Sequence, residues 1–228
     1  MDFSKASAGV SDPLWVYIRN GRSYVRSYQQ FVHNPRTQRQ QAHRSLFKAE
    51  VQLASTMRWA VMTTLRDAAR QRGMTPFNLF VHLNQQAFSL EEGVFMVDWS
   101  RLTLTDGEFP CMVDFGTPQW SADNVLTVPF TPQRRAGLNG LVQVYVYCPE
   151  TGENYLSAPV YVSDCKVAFA MPEWMAGCEV QVYGLQGGDR YGWSETVYLG
   201  SINEECGMRN WGRMPMRNQE GLLMRNQE

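Results

Sequence analysis

The chain has 228 residues, 44% hydrophobic and 19% charged, with a net charge of −1. Such a length suits one large domain or two small ones, burying roughly 70% of the unfolded surface, and no run approaches the roughly 20 apolar residues of a membrane span. The near-neutral total hides an asymmetry: residues 1–75 hold 12 Lys and Arg against 4 Asp and Glu, and residues 76–228 hold 9 against 18. One reading is a nucleic-acid face on the basic end. The other is that the two parts neutralise each other, within one molecule or between neighbours in an oligomer.

Residues 1–12 are small and polar and read as a loose leader. The opening MDFSK lacks the basic start and apolar core of a secretory signal, which points to a cytoplasmic protein or one assembled into a particle. Two β-rich runs then meet across Asn20-Gly21. Both central positions of a type I′ turn need positive φ, so this pair predicts a β-hairpin over 14–19 and 22–28. Its face of Trp15, Tyr17, Tyr24 and Tyr28 calls for burial, with the following helix as the nearest cover.

Asn34-Pro35 reads as a cap with proline at the first helical position, and Arg70, Arg72 and Gly73 read as the far end. Between them Leu46, Ala49, Leu53, Met57, Ala60, Val61, Thr64 and Ala68 recur at steps of three and four. One long amphipathic helix over 35–72 follows, about 57 Å if unbroken. Thr75-Pro76 repeats the cap, and Phe77, Phe80, Val81, Asn84, Ala87 and Phe88 form a second stripe ending before Gly93. Asn84, inside that stripe, reads as a satisfied buried amide.

From Phe95 the apolar period becomes two. Strands are expected near 95–98, 101–105, 109–115, 124–130, 141–148, 155–163, 165–171, 178–185 and 193–199. Turns are expected at Asp106-Gly107, Glu150-Thr151-Gly152 and Gly187-Gly188-Asp189. Many short strands at this spacing indicate an antiparallel sandwich or barrel. Pro129 and Pro159 each remove a ladder donor, so their strands belong at edges. LVQVYVYC and CEVQVYGL alternate most cleanly and read as central strands, with Val142, Val144 and Val146 on one side. The tail repeats MRNQE at 216–220 and 224–228 and is expected to be disordered, the alternative being a short helix that docks on a neighbour. The fold class is therefore α+β: a hairpin and two-helix unit over 1–93, a β-sandwich over 94–202 and a tail over 203–228.

GRSYVRSY, NPRTQRQQAHRSLF, TPFNLFVHLN, LTLTDGEF and SETVYLG occur in that order. Over residues 9–202 the chain resembles a Bacteroidetes family described only as a domain of unknown function, from which it departs in having few glycines at its start. The resemblance implies this order of elements and no activity. MPEWMAGCEVQVYGLQGGDRYGWSE is similar to the closing strands of fibronectin type III-like and immunoglobulin-like sandwiches, over about 109–200. That likeness implies a fold and nothing about function.

Chemistry-bearing patterns are sparse. His33, His43 and His82 have no metal-ligand spacing, and the two helical ones read as surface residues. Cys111, Cys148, Cys165, Cys178 and Cys206 form an odd set without CxxC and read mostly as small core residues. No nucleophile elbow, phosphate loop or dinucleotide turn is present, so no catalytic residue, metal ligand or cofactor is assigned. Asp106-Gly107-Glu108 could hold calcium but reads better as turn chemistry. The sequence supports a non-enzymatic structural or binding protein that self-associates or takes a protein partner, in a phage-like particle or a bacterial surface assembly. Its partner-binding candidates are Arg36, Arg39, Arg44, Lys48, Trp174 and Trp193. The alternatives are a nucleic-acid-binding protein using the basic helix 35–72, and a carbohydrate-binding sandwich module with Trp120, Trp174 or Trp193 as platforms.

Overall fold

The computed structural model describes residues 14–19, 21–27, 34–91, 94–107, 110–133, 140–175, 177–188, 192–203, 207–209 and 213–215. The leader 1–12, Tyr28, His33, Glu108, Asp189, Cys206 and both MRNQE copies lie outside these residues. The chain divides into two compact units, 1–41 and 42–228.

In the first unit, β1 (Leu14–Arg19) and β2 (Arg22–Ser27) pair antiparallel with Arg19 opposite Arg22, and Gly21 has φ +73°. This is the expected hairpin. Tyr17 and Tyr24 face each other with ring centroids 5.3 Å apart and stack at 15°, and the Arg26 guanidinium lies 5.5 Å from the Tyr17 ring centre. The expected burial of Trp15, Tyr17 and Tyr24 is not met, since all three are exposed. A two-stranded ribbon has no second layer of its own to cover such a face.

The expected single helix is three successive ones: α1 (Gln38–Thr56), α2 (Arg58–Thr64) and α3 (Arg66–Gln71). The division between the two units falls inside α1. Its start is also later than expected: Thr37, not Asn34, caps α1, its hydroxyl accepting from the Gln40 N–H at 3.3 Å. The breaks at Met57 (φ −84°, ψ 16°) and Leu65 (φ −103°, ψ 0°) have a common cause. Thr56 Oγ1 donates back to the Leu53 carbonyl (2.8 Å), Thr63 donates to the Trp59 carbonyl (2.8 Å), and the Thr64 hydroxyl, whose one hydrogen is shared with the nearer Leu104 carbonyl, lies 3.0 Å from the Ala60 carbonyl. Threonines bonded back in this way often bend a helix. The inner line holds across both bends: Leu53, Met57, Val61, Leu65 and Ala69 are linked by successive i→i−4 backbone bonds, and all five are buried.

The far end is as expected. Gly73 takes φ +64°, Met74 N–H donates to the Ala69 carbonyl (2.8 Å) and Gly73 N–H to the Arg70 carbonyl (3.1 Å), a Schellman closure. Thr75 caps α4 (Pro76–Asn84) by accepting from the Asn78 N–H at 3.2 Å. The stripe ends sooner than expected. A 3₁₀ turn occupies Gln85–Ala87, and Phe88 opens β3 (Phe88–Glu91), paired with β4 (Val94–Asp98).

The remaining strands are β5 (Val113–Phe115), β6 (Gln119–Trp120), β7 (Val125–Pro132), β8 (Leu141–Tyr147), β9 (Asn154–Leu156), β10 (Val160–Tyr161), β11 (Lys166–Ala170), β12 (Val180–Gly188), β13 (Gly192–Trp193), β14 (Val197–Asn203), β15 (Gly207–Arg209) and β16 (Arg213–Pro215). All described pairings are antiparallel. One sheet runs β10-β8-β12-β14-β15, with β9 on β8 and β13 on β12. A second places β7 between β11 and the pair β5 and β6, and a third runs β16-β4-β3.

β8 and β12 lie side by side at the centre, as their alternation implies. Val142, Val144, Val146, Val180 and Val182 join Leu126, Val128 and Phe130 in a sandwich core. Tyr145, Tyr147, Tyr183 and Leu185 join Leu53, Met57, Leu79 and Phe80 in a second core on the helix side. The central sheet is thus covered on both faces. For that reason the helices belong to one unit with the strands, and no boundary falls at residue 93.

The expected 193–199 strand is divided between β13 and β14, and Gly187 and Gly188, expected in a turn, end β12. Three further expectations about strands change. Residues 102–105 form no strand, although Leu102 and Leu104 are buried. Side chains hold that segment instead. Asn84 bonds Thr103 in both directions, Thr64 Oγ1 donates to the Leu104 carbonyl, and Thr196 Oγ1 accepts from the Leu104 and Thr105 N–H groups (2.9 and 3.0 Å). Second, Pro129 lies in an interior strand, not at an edge. Its carbonyl accepts from Gly116 N–H (2.8 Å), so its missing donor points to the same side, where the neighbouring strand is interrupted between β5 and β6. Pro159 does sit at an edge, in the gap that splits the expected 155–163 strand into β9 and β10. Third, part of the tail is paired: β15 extends the central sheet beside β14, and β16 lies against β4.

Candidate functional site

α1 and α2 present two apolar faces. The inner one, Ala49, Leu53, Ala54, Met57, Ala60 and Val61, is buried. The outer one is a ridge at steps of four: Phe47, Val51, Ser55 and Trp59. Phe47 is 57% exposed, Val51 40% and Trp59 58%. Positions three and four apart lie along one helix side, so these residues span roughly 18 Å of it. A helix apolar on opposite sides has more apolar surface than its own fold covers.

The strip is bordered by cations. Arg44, Lys48 and Arg58 are exposed and lie within three or four residues of its members. Between residues 42 and 66 the one acid is Glu50, on the inner side and 4% exposed. Burial pushes its carboxyl from an ordinary 4.5 up to about 7. Beside the ridge stands the acidic turn after β8. Asn154 Nδ2 donates to the Thr56 carbonyl (2.9 Å), the Tyr147 hydroxyl meets the Thr56 side chain, and a Cβ on Gly152 would lie 3.6 Å from Thr56 Cγ2. Glu150 and Glu153 on that turn are exposed, and no Lys or Arg occurs from 136 to 165.

The residues singled out from sequence fall in different places. Arg36 precedes α1 and Arg39 is in its first turn, in the first unit; Arg44 and Lys48 belong to the second. All four are exposed. Trp174, in a 3₁₀ turn at Glu173–Met175, is 47% exposed. Trp193 is half-buried against the helix-side core, where a Cβ on Gly187 would come within 3.1 Å of its ring. Trp120 packs on the sandwich core and donates Nε1–H to Asn124 Oδ1 at 3.0 Å. The ridge itself was missed. Three large apolar residues at 47, 51 and 59 stand off the main stripe, and this second period of four was the available signal.

The polar residues weighed for chemistry serve packing or the surface. Asp106 pairs with Arg72 at 2.8 Å, and His43 and His82 are exposed. Burial first, then contact with Cys148, pushes the Cys178 thiol up to about 12. Of the described cysteines Cys148 is buried, Cys111 and Cys178 are half-buried and Cys165 is exposed, with φ 57° between a 3₁₀ turn and β11, so the set is less a core set than expected. Among the described residues no group of three or more His, Cys, Asp or Glu is placed to hold a metal, and no helix is long and apolar enough to cross a membrane. Comparison with protein-family models, curated proteins and solved structures finds no match.

Proposed function

We propose that this chain is a non-enzymatic structural or binding protein whose working surface is the outer ridge of α1 and α2. The observation that carries this reading is the exposure of Phe47, Val51 and Trp59 on the side opposite a fully buried helix face. Leaving this strip in water forgoes roughly 25 cal/mol for each Å² a partner could cover. Its basic border selects a partner with acidic groups around an apolar centre. Service in a phage-like particle or a surface assembly, and membership of the Bacteroidetes domain-of-unknown-function family, belong to the same proposal. A photo-crosslinking residue at Val51, in the cells that make the protein, tests it. Protein adducts from position 51 and none from the exposed control position Asp123 are expected. Adduct formation equal at both positions, or absent at 51, contradicts the reading.

A further inference from the structure

Resting on that reading, we infer that the ridge's partner is a second copy of this chain, in a closed two-fold dimer. In that dimer the Phe47, Val51 and Trp59 strip with Lys48 seats against the Glu150 and Glu153 turn of the other copy. Two observations choose this occupant. The strip and the turn are complementary in sign: residues 47–59 expose Lys48 and Arg58 and no acid, and residues 148–154 expose Glu150 and Glu153 and hold no Lys or Arg. They also adjoin: the turn is tied to α1 at Thr56, next to Ser55 in the middle of the ridge. A patch holding both a surface and its complement side by side satisfies a two-fold interface, in which each copy gives and receives the same contact. Ser55, the one small side chain on the ridge, leaves a notch between Val51 and Trp59 for a bulky group of the partner.

Sedimentation of the full chain over a wide concentration series is the test, with charge-swapped variants. Variant one carries Lys48→Glu and Arg58→Glu; variant two carries Glu150→Lys and Glu153→Lys. All four positions are exposed, and circular dichroism checks that each variant folds. The wild type is expected to pass from 26.1 kDa to twice that mass. Each variant alone is expected to self-associate at least about tenfold more weakly, because like charges then face each other. An equal mixture of the two restores the dimer, since both contacts are again complementary. A wild type monomeric throughout, species larger than a dimer, swaps without effect, or a mixture that stays monomeric overturns the inference. If Val51 crosslinks to a protein other than this chain while the wild type stays monomeric, the inference fails and the proposed function stands. If Val51 forms no adduct, both fail.

Discussion

Asn84 holds Thr103 from both sides: its amide nitrogen donates to the Thr103 carbonyl at 2.8 Å, and its oxygen accepts from the Thr103 N–H at 2.6 Å. The second amide hydrogen goes to the Phe80 carbonyl at 2.9 Å. One side chain thus does for residue 103 what a neighbouring strand would do. Asn84→Ala leaves buried backbone groups without partners, each costing about 1–3 kcal/mol. Urea denaturation is expected to show a loss of roughly 3 kcal/mol, and a loss below about 1 would mean that the segment is held elsewhere.

Tyr145 and Tyr183, paired across β8 and β12 and both fully buried, differ in one respect. The Tyr183 hydroxyl donates to the Trp99 carbonyl at 3.0 Å, whereas the Tyr145 hydroxyl has no partner among the described residues. Tyr183→Phe is expected to cost about 1 kcal/mol. Tyr145→Phe is expected to be neutral or stabilising, because it removes a buried polar atom and no bond. The reverse order in thermal unfolding would refute this assignment.

Glu50 makes stability depend on pH. Its carboxyl titrates near 7 in the folded chain and near 4.5 when unfolded. Between those values the folded state holds a proton that the unfolded state has released, so stability falls as pH rises from about 4.5 to 7. The full effect is at most about 3 kcal/mol. Glu50→Gln is expected to flatten the profile and to stabilise the chain at pH 8. An unchanged slope would show that another group sets it.

Gly184 faces the Phe115 ring so closely that an added Cβ would lie 2.5 Å from two ring carbons. Gly184→Ala must displace that ring within the sandwich core, at a cost of about 1–3 kcal/mol. A stability equal to wild type by chemical denaturation would mean that Phe115 moves aside freely.

Periodicity and turn chemistry were legible where local rules act alone. Gly21, Gly73 and Thr75-Pro76 behave as their φ preferences and missing donors require. The alternation in β8 and β12 placed Val142, Val144 and Val146 on one face correctly. What escaped depends on distant partners. Residues 102–105 look like a strand, yet their bonds go to Asn84, Thr64 and Thr196. The breaks at Met57 and Leu65 each follow a threonine whose hydroxyl lies against a carbonyl one turn back, a feature that an apolar period does not register. The site was less legible than the fold. The cations at 44 and 48 are legible in the sequence, whereas Phe47, Val51 and Trp59 lie off the main apolar period that marks the helix core.

On the proposed reading, the inner face of α1 and α2 holds the fold and the outer face is kept for a partner. Urea denaturation at high dilution, where the chain is monomeric, tests it most directly by comparing two variants. Leu53→Ala on the inner face is expected to lose about 2–5 kcal/mol. The triple variant Phe47→Ser, Val51→Ser and Trp59→Ser is expected to stay within about 0.5 kcal/mol per site of wild type. A loss of several kcal/mol in the triple variant at that dilution would show that the ridge is covered within the chain itself, and would contradict the account.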